Sequence, residues 1–179
     1  MNPLKTLIAV IASVLLAGCA TYTPQEVVLQ NSFDANAAQE LLREGTNTIK
    51  GSALLRQRGG GVVTCAGYEI ALVPVTAYAS ERMWNLYGHT NRGFRDVKLF
   101  NSIKFFPDLA TYYRLAKITT CDAQGNFAFK NVSDGSFYVI TEIIWEVPVS
   151  QYTTAQQGGG LMQLVTVDGG ETKEIVLSP

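Results

Sequence analysis

The chain has 179 residues and a formal net charge of −1, and 47% of its residues are hydrophobic. This near-neutral balance lacks the basic surplus that binds polyanions, so we expect no nucleic-acid partner. The sole histidine, His89, is too few for the zinc site of a metallopeptidase, and we expect no catalytic residue, no metal and no cofactor.

Residues 1–18 have the layout of a secretory signal peptide. Lys5 gives the start a positive charge, residues 6–16 are almost wholly apolar, and small residues precede Cys19. The apolar run is shorter than the roughly 20 residues that cross a bilayer core. The four residues that end this region, Leu-Ala-Gly-Cys, resemble the lipobox of bacterial lipoproteins. The resemblance implies cleavage before Cys19 and a diacylglyceryl group on its sulfur.

The same resemblance implies attachment to a membrane through acyl chains on Cys19, palmitate among them. Ala20 stands where lipoproteins retained in the inner membrane usually carry aspartate. We therefore expect a lipid anchor in the outer membrane, facing the periplasm, or in the cell membrane of a source with a single membrane. The alternative is an ordinary signal peptide followed by a chance cysteine.

A short helix is predicted over residues 34–45, after a tether at residues 19–33. Asp34 is a good N-cap, and Gly45 suits a left-handed C-cap. The residues between them favour a helix, and Leu41 belongs to an apolar face. We expect this face to pack on the domain that follows.

Residues 46–179 have the pattern of short β-strands separated by turns. Two hairpins are predicted, around the turns at 122–125 and 168–170, and residues 150–160 read as a polar, glycine-rich loop. About seven strands with regular turns indicate an antiparallel β-sandwich. The predicted strands are 48–55, 68–75, 116–121, 126–129, 136–147, 161–167 and 172–177.

A long excursion, at about residues 76–114, interrupts this pattern, and its secondary structure is not evident from the sequence. Aromatic rings alternate with basic side chains along it. Such a segment either packs on the sandwich or forms a surface for a glycan, an anionic headgroup or a protein partner. The candidate surface residues are Trp84, Tyr87, Phe94, Phe105, Phe106 and Tyr112.

Two cysteines remain once Cys19 is assigned to lipid. Cys65 and Cys121 form an even pair in an oxidising compartment, where disulfides persist, so we expect a bond between them. It would close a loop of more than fifty residues and stabilise the fold by about 2–4 kcal/mol. Two buried thiols are the alternative.

Three strings of sequence then point to a family. They are Gly-Tyr-Glu-Ile-Ala-Leu-Val-Pro at 67–74, Thr-Thr-Cys-Asp-Ala-Gln-Gly-Asn-Phe-Ala-Phe-Lys-Asn-Val at 119–132 and Asp-Gly-Ser-Phe-Tyr-Val at 134–139. Together they resemble the carboxypeptidase regulatory-like domain, a small transthyretin-like β-sandwich. The resemblance covers about residues 48–178. Cys121 departs from it, since the family usually has threonine or a similar residue there.

This family resemblance implies a fold more than a function, because such domains are mostly accessory or structural. Any Ser-His-Asp triad would need His89, and the chain has no Gly-x-Ser-x-Gly elbow. The first hypothesis is therefore a lipid-anchored, non-enzymatic envelope protein that acts as a structural or protein-interaction module. The alternatives are a module that binds a glycan or small ligand through the excursion, and an unrecognised hydrolase.

Overall fold

Eleven strands, three α-helices and one 3-10 helix make up residues 23–179, the part of the chain that the computed structural model describes. The predicted signal peptide and Cys19 lie outside these residues. The helices are α1 (Ala35–Leu41), α2 (Ala77–Tyr87) and α3 (Ala110–Arg114), and the 3-10 helix is Val97–Ser102. The strands are β1 (Gln25–Val28), β2 (Glu44–Arg56), β3 (Val62–Thr64), β4 (Glu69–Pro74), β5 (Arg92–Asp96), β6 (Ile103–Phe106), β7 (Lys117–Thr120), β8 (Asn126–Val132), β9 (Gly135–Pro148), β10 (Thr154–Val167) and β11 (Thr172–Leu177).

Two main sheets form the β-sandwich that the strand pattern predicts. The first sheet is antiparallel and has the order β5-β10-β9-β4-β7. The second is built on β2, with β11 parallel to it on one side and β8 and β3 antiparallel to it on the other. A separate ribbon pairs β1 with β6 in parallel.

The core between the two sheets contains alternate residues of each strand. Phe127 and Phe129 are two positions apart on β8, so they share a strand face, and both are buried there. They pack near Ile49 of β2 and Ile70 of β4, which are fully buried in the same cluster.

A second core covers the opposite face of the first sheet. Val73 and Tyr138 point away from the sandwich into a cluster that also holds residues of α2, α3 and β6. The excursion at 76–114 supplies all three of these elements. Because the first sheet is buried on both faces, β4 and β9 carry apolar residues at successive positions.

The predicted helix is shorter than the sequence indicates. Asp34 is the N-cap, and its carboxylate accepts a hydrogen bond of 2.9 Å from the backbone N–H of Ala37. However, α1 ends at Leu41, and Gly45 lies in β2 instead of capping the helix. A Cβ at Gly45 would lie 2.3 Å from the carbonyl oxygen of Val132, so a close approach between strands accounts for this glycine.

Both predicted hairpins are turns that cross from one sheet to the other. β7 pairs with β4 in the first sheet, whereas β8 pairs with β2 in the second. Likewise, β10 lies in the first sheet and β11 pairs with β2 in the second. The turn glycine Gly125 has a φ of +83°, which suits glycine, but a tight turn does not determine which strand each arm pairs with.

The predicted loop at 150–160 is mostly strand. β10 begins at Thr154 and pairs with β9 along its whole length. Only the five residues between Pro148 and Thr154 connect the two strands. The glycine-rich composition that reads as a loop belongs to the part of β10 where close approaches to the backbones of β9 and β5 require glycine.

Cys65 and Cys121 form the predicted disulfide, with Cα atoms 5.8 Å apart. Cys65 follows β3 of the second sheet, and Cys121 follows β7 of the first. The bond therefore joins the two sheets at one end of the sandwich, and both cysteines are buried.

The C-terminal part of the predicted tether at 19–33 is ordered, and its residues 25–31 are called the strap below. Residues 25–28 form β1, and the Glu81 carboxylate of α2 accepts hydrogen bonds from the backbone N–H groups of Gln30 and Asn31. The distances are 2.8 and 2.9 Å. No helix within residues 23–179 is long and apolar enough to cross a membrane.

Candidate functional site

The six candidate aromatic residues do not form one surface. Phe105 and Tyr112 are buried in the second core and are therefore unavailable as binding residues, and Tyr87 is partly buried. The other three are exposed and lie on different elements. Their side chains are 59% exposed at Trp84 on α2, 39% at Phe94 on β5 and 68% at Phe106 on β6.

Packing around one arginine explains why part of this segment is aromatic. Arg82 of α2 is only 4% exposed, and its guanidinium lies 4.1 Å from the ring centre of Phe105 and 4.8 Å from that of Tyr112. Its nitrogens donate to Asp108 at 2.9 Å and to the hydroxyl of Tyr113 at 2.5 Å. This cage of rings and oxygens uses the excursion to close the second core.

The electrostatics of the cage favour the charged guanidinium. Burial alone lowers the pKa of Arg82, but the hydroxyl of Tyr113 and the carboxylate of Asp108 more than offset it, so the pKa is raised. Burial also raises the pKa of Tyr112, which keeps that phenol neutral. The cage thus serves packing: its guanidinium and the rings of Phe105 and Tyr112 are buried, while Tyr113 and Asp108 stay partly exposed at its outer side.

A cleft of about 400 Å³ lies where the end of β2 meets β5, β9 and β10. Two aromatic side chains, Phe94 and Trp145, line it. Polar and charged groups from both sheets complete the wall. The other lining residues are Leu55, Arg56, Gln57, Arg58, Asp96, Lys98, Gln157, Gly158 and Pro179.

Two consecutive glycines of β10 make room for the two rings. A Cβ at Gly158 would lie 2.8 Å from Cζ3 of Trp145, and one at Gly159 would lie 2.9 Å from Cε2 of Phe94. Gly158 also has a φ of +100°, which other residues rarely adopt. A Cβ at Gly158 or Gly159 would also lie 2.0 Å from a backbone carbonyl oxygen, so these two glycines serve both the strand pairing and the space for the rings of the cleft.

The charged groups of the cleft are mainly cationic. Arg56, Arg58 and Lys98 are exposed at its rim, and within residues 23–179 none of the three makes an ion pair. The only carboxylate side chain among the lining residues is Asp96. Its Oδ1 already accepts a hydrogen bond of 2.9 Å from the backbone N–H of Lys98. The side chains that line the cleft consequently carry a net positive charge.

Trp145 falls in the predicted strand 136–147, and the sequence does not assign it to a site. The structure leaves this side chain partly exposed, and its indole Nε1 is buried without an acceptor among the described residues. The signal that could have found it is the pairing of β9 with β10, which sets Trp145 opposite Gln157 and beside the glycine run.

A larger, open groove of about 590 Å³ is lined by residues of β2, β8 and β11 and by the end of β7. Lys50 and Glu174 line it and form an ion pair of 3.3 Å with each other, and Phe127 is the only aromatic lining residue. Phe127 belongs to the inter-sheet core. This groove therefore offers a ligand neither an open aromatic ring nor an unpaired cation at that position.

Residues 23–179 contain no cluster of three or more His, Cys, Asp or Glu side chains that could hold a metal ion. His89 lies beside Trp84, with 6.4 Å between their ring centres.

The chain matches no family model and no curated protein. A solved structure from Pseudomonas aeruginosa, named as a "putative carbohydrate binding protein", has a similar fold with a TM-score of 0.65. The two sequences are 22% identical, and the match covers 83% of this chain and 99% of the other. At this level of identity the likeness shows the fold.

Proposed function

We propose that this chain is a lipid-anchored, non-enzymatic carbohydrate-binding module of the bacterial envelope. The observation that carries the proposal is the cleft in which the rings of Phe94 and Trp145 lie beside cationic side chains. Aromatic rings present apolar faces on which the C–H face of a pyranose stacks. The fold shared with a Pseudomonas protein whose name refers to carbohydrate binding supports the same function.

The charges of the cleft favour an acidic sugar. A guanidinium pairs with a carboxylate through two parallel hydrogen bonds, and Arg56 and Arg58 both lie at the rim. Gln57 and Gln157 add amide groups that can bond to sugar hydroxyls. A uronic acid residue offers each of these groups a partner, because it combines a carboxylate, several hydroxyls and an apolar face.

The carboxylate count of the cleft favours binding over cleavage. Glycoside hydrolysis ordinarily uses a pair of carboxyl groups that flank the scissile bond. The lining residues include one acidic side chain, Asp96, and its carboxylate is held by the turn that follows β5. This supports a module that binds a sugar, rather than a hydrolase built on the same sandwich.

Calorimetric titration of the full-length protein with tetragalacturonate tests the site. Trp145→Ala and Phe94→Ala should each weaken binding at least about tenfold, or by about 1.4 kcal/mol. Trp84→Ala is the matched control, because Trp84 is an exposed ring outside the cleft, and its affinity should stay that of the parent. Phe94 is itself partly exposed, so its variant should keep the fold if Trp145→Ala does not.

The methyl ester of the same oligosaccharide tests the role of charge. The parent protein should bind the free acid more tightly than the ester, and Arg56→Gln should reduce that difference. Equal affinity for both forms would contradict the preference for acidic sugars but not the cleft. If the parent binds no member of a broad glycan array, or if only Trp84→Ala impairs binding, carbohydrate recognition by this cleft is wrong.

A further inference from the structure

The ribbon of β1 and β6 has one buried face and one exposed face. Val27 packs against the second core, and Phe105 lies within it at 6% exposure. Strand geometry directs the neighbouring residues Val28 and Phe106 the other way, where they are 61% and 68% exposed. The register places these two residues opposite each other in the ladder, so they form one apolar patch.

A shallow groove of about 350 Å³ accompanies this patch. Its polar lining residues are Glu26 and Lys104, which the ladder also places opposite each other. Their charges cancel, so the patch carries no net charge that would repel an anionic headgroup. Single exposed apolar side chains are common on protein surfaces. The pair on this ribbon therefore indicates a binding surface only if its environment also supports one.

The position of β1 in the chain supplies that environment. Only five residues separate Cys19 from Gln25, where β1 begins. Fully extended, the six steps from Cys19 to Gln25 span at most about 20 Å. After β1, the hydrogen bonds from Gln30 and Asn31 to Glu81 hold the chain on α2. The distance between Cys19 and the folded domain is therefore limited by residues 19–25.

We propose that the exposed face of the β1–β6 ribbon, formed by Val28 and Phe106, lies on the lipid bilayer and inserts Phe106 at the membrane interface. The proposal rests on the lipid anchor at Cys19 proposed above. Because the anchor keeps the patch within a short tether of the bilayer, a weak contact suffices to orient the domain, as in any bivalent attachment. Aromatic rings partition well to this interfacial region.

Fluorescence in vesicles tests the contact. The acylated full-length protein, with Phe106→Trp, is reconstituted in phosphatidylcholine vesicles whose acyl chains carry bromine near the headgroup. The emission added by this tryptophan, relative to the parent with its native Trp84 and Trp145, should be quenched and shifted to shorter wavelength. Tyr152→Trp is the control, since Tyr152 is 87% exposed in the turn between β9 and β10 and should show neither change.

The outcomes separate the patch from the anchor and from the sugar site. Quenching at position 106 alone, with lipid found on Cys19 by mass spectrometry, supports the proposal. Equal quenching at positions 106 and 152, or none at either, overturns it even if the anchor is present. A shift to shorter wavelength without quenching by brominated lipid assigns the patch to a second copy of the chain and also overturns it. None of these results depends on tetragalacturonate binding.

Discussion

At the scale of single residues, Arg82 shows how a basic side chain in an aromatic segment can serve packing. Its guanidinium lies over Phe105 and donates to the hydroxyl of Tyr78 at 3.2 Å as well as to Asp108. The Tyr78 hydroxyl in turn donates to the carbonyl oxygen of Pro107 at 2.9 Å. One buried cation thus joins α2 to β6, to the residues that precede α3, and to α3 itself.

Truncation of Arg82 should destabilise the fold without affecting the sugar cleft. Arg82→Ala removes the packing and leaves polar groups of the cage without a donor, so we expect a loss of about 3 kcal/mol. Arg82→Met fills the space and should cost clearly less. Urea unfolding measures both values. Equal effects of the two variants would show that the charge, and not the packing, stabilises the cage.

Asn47 is a second residue whose role the sequence did not reveal. It is fully buried in β2, and its side chain donates to the carbonyl oxygen of Val132 and to Asp134. The amide oxygen of the same side chain accepts hydrogen bonds from the backbone N–H groups of Gly170 and Glu171. The sequence does not reveal this role, because these partners of Asn47 lie more than 80 positions away in the chain.

At the scale of elements, alternation predicts strands well and their partners poorly. Residues 48–55 and 136–147 read as strands from local pattern and prove to be β2 and β9. The turn at 122–125 also reads correctly, but the assignment of β7 and β8 to different sheets depends on long-range burial that no local signal carries. β1 has only four residues and pairs with the distant β6, so the local sequence predicts a tether there and not a strand.

The attachment of the strap to α2 should depend on pH. Hydrogen bonds, first of all from the backbone N–H of Gln30 and then from Asn31, outweigh the opposing effect of burial and lower the pKa of Glu81. A lowered carboxyl pKa means that the ionised form is the stabilising one. Its contribution is complete above the ordinary value of 4.5 and is lost as the pH falls through the lowered pKa.

Hydrogen exchange measures this dependence. Protection factors of the Gln30 and Asn31 amides should fall as the pH decreases below about 4.5, while that of Ala53, which donates to Gly125 in the core, should not. In Glu81→Gln the two strap amides should be less protected at neutral pH and insensitive to this acidification. Protection that stays constant in the parent protein would refute the role of the carboxylate.

At the scale of the whole molecule, the sandwich could be predicted but its outer layer could not. The strings that resemble a regulatory-like domain account for strands of both main sheets. The excursion has no such pattern, because its helices and its ribbon are stabilised by packing on the outer face of the first sheet. For the same reason the sugar cleft, which Phe94 of the excursion and Trp145 of the sandwich build together, is invisible to either segment alone.

The disulfide is the long-range contact that the sequence did predict, because cysteine parity is independent of fold. Cys65 and Cys121 are 56 positions apart and tie the end of β7 to the chain that leaves β3. A cross-link over this separation restricts the unfolded chain and should stabilise the protein by about 2–4 kcal/mol.

Replacing both cysteines by alanine should therefore lower the urea concentration at the midpoint of unfolding. It should also steepen the dependence of the free energy of unfolding on urea concentration. The steeper slope is expected because an unfolded chain without the cross-link exposes more surface. A lower midpoint with an unchanged slope would place the effect in the native packing between the sheets. Two alkylated thiols in the unreduced parent protein would contradict the bond itself. The Trp145 cleft lies on other strands, so tetragalacturonate binding by the folded variant should be retained.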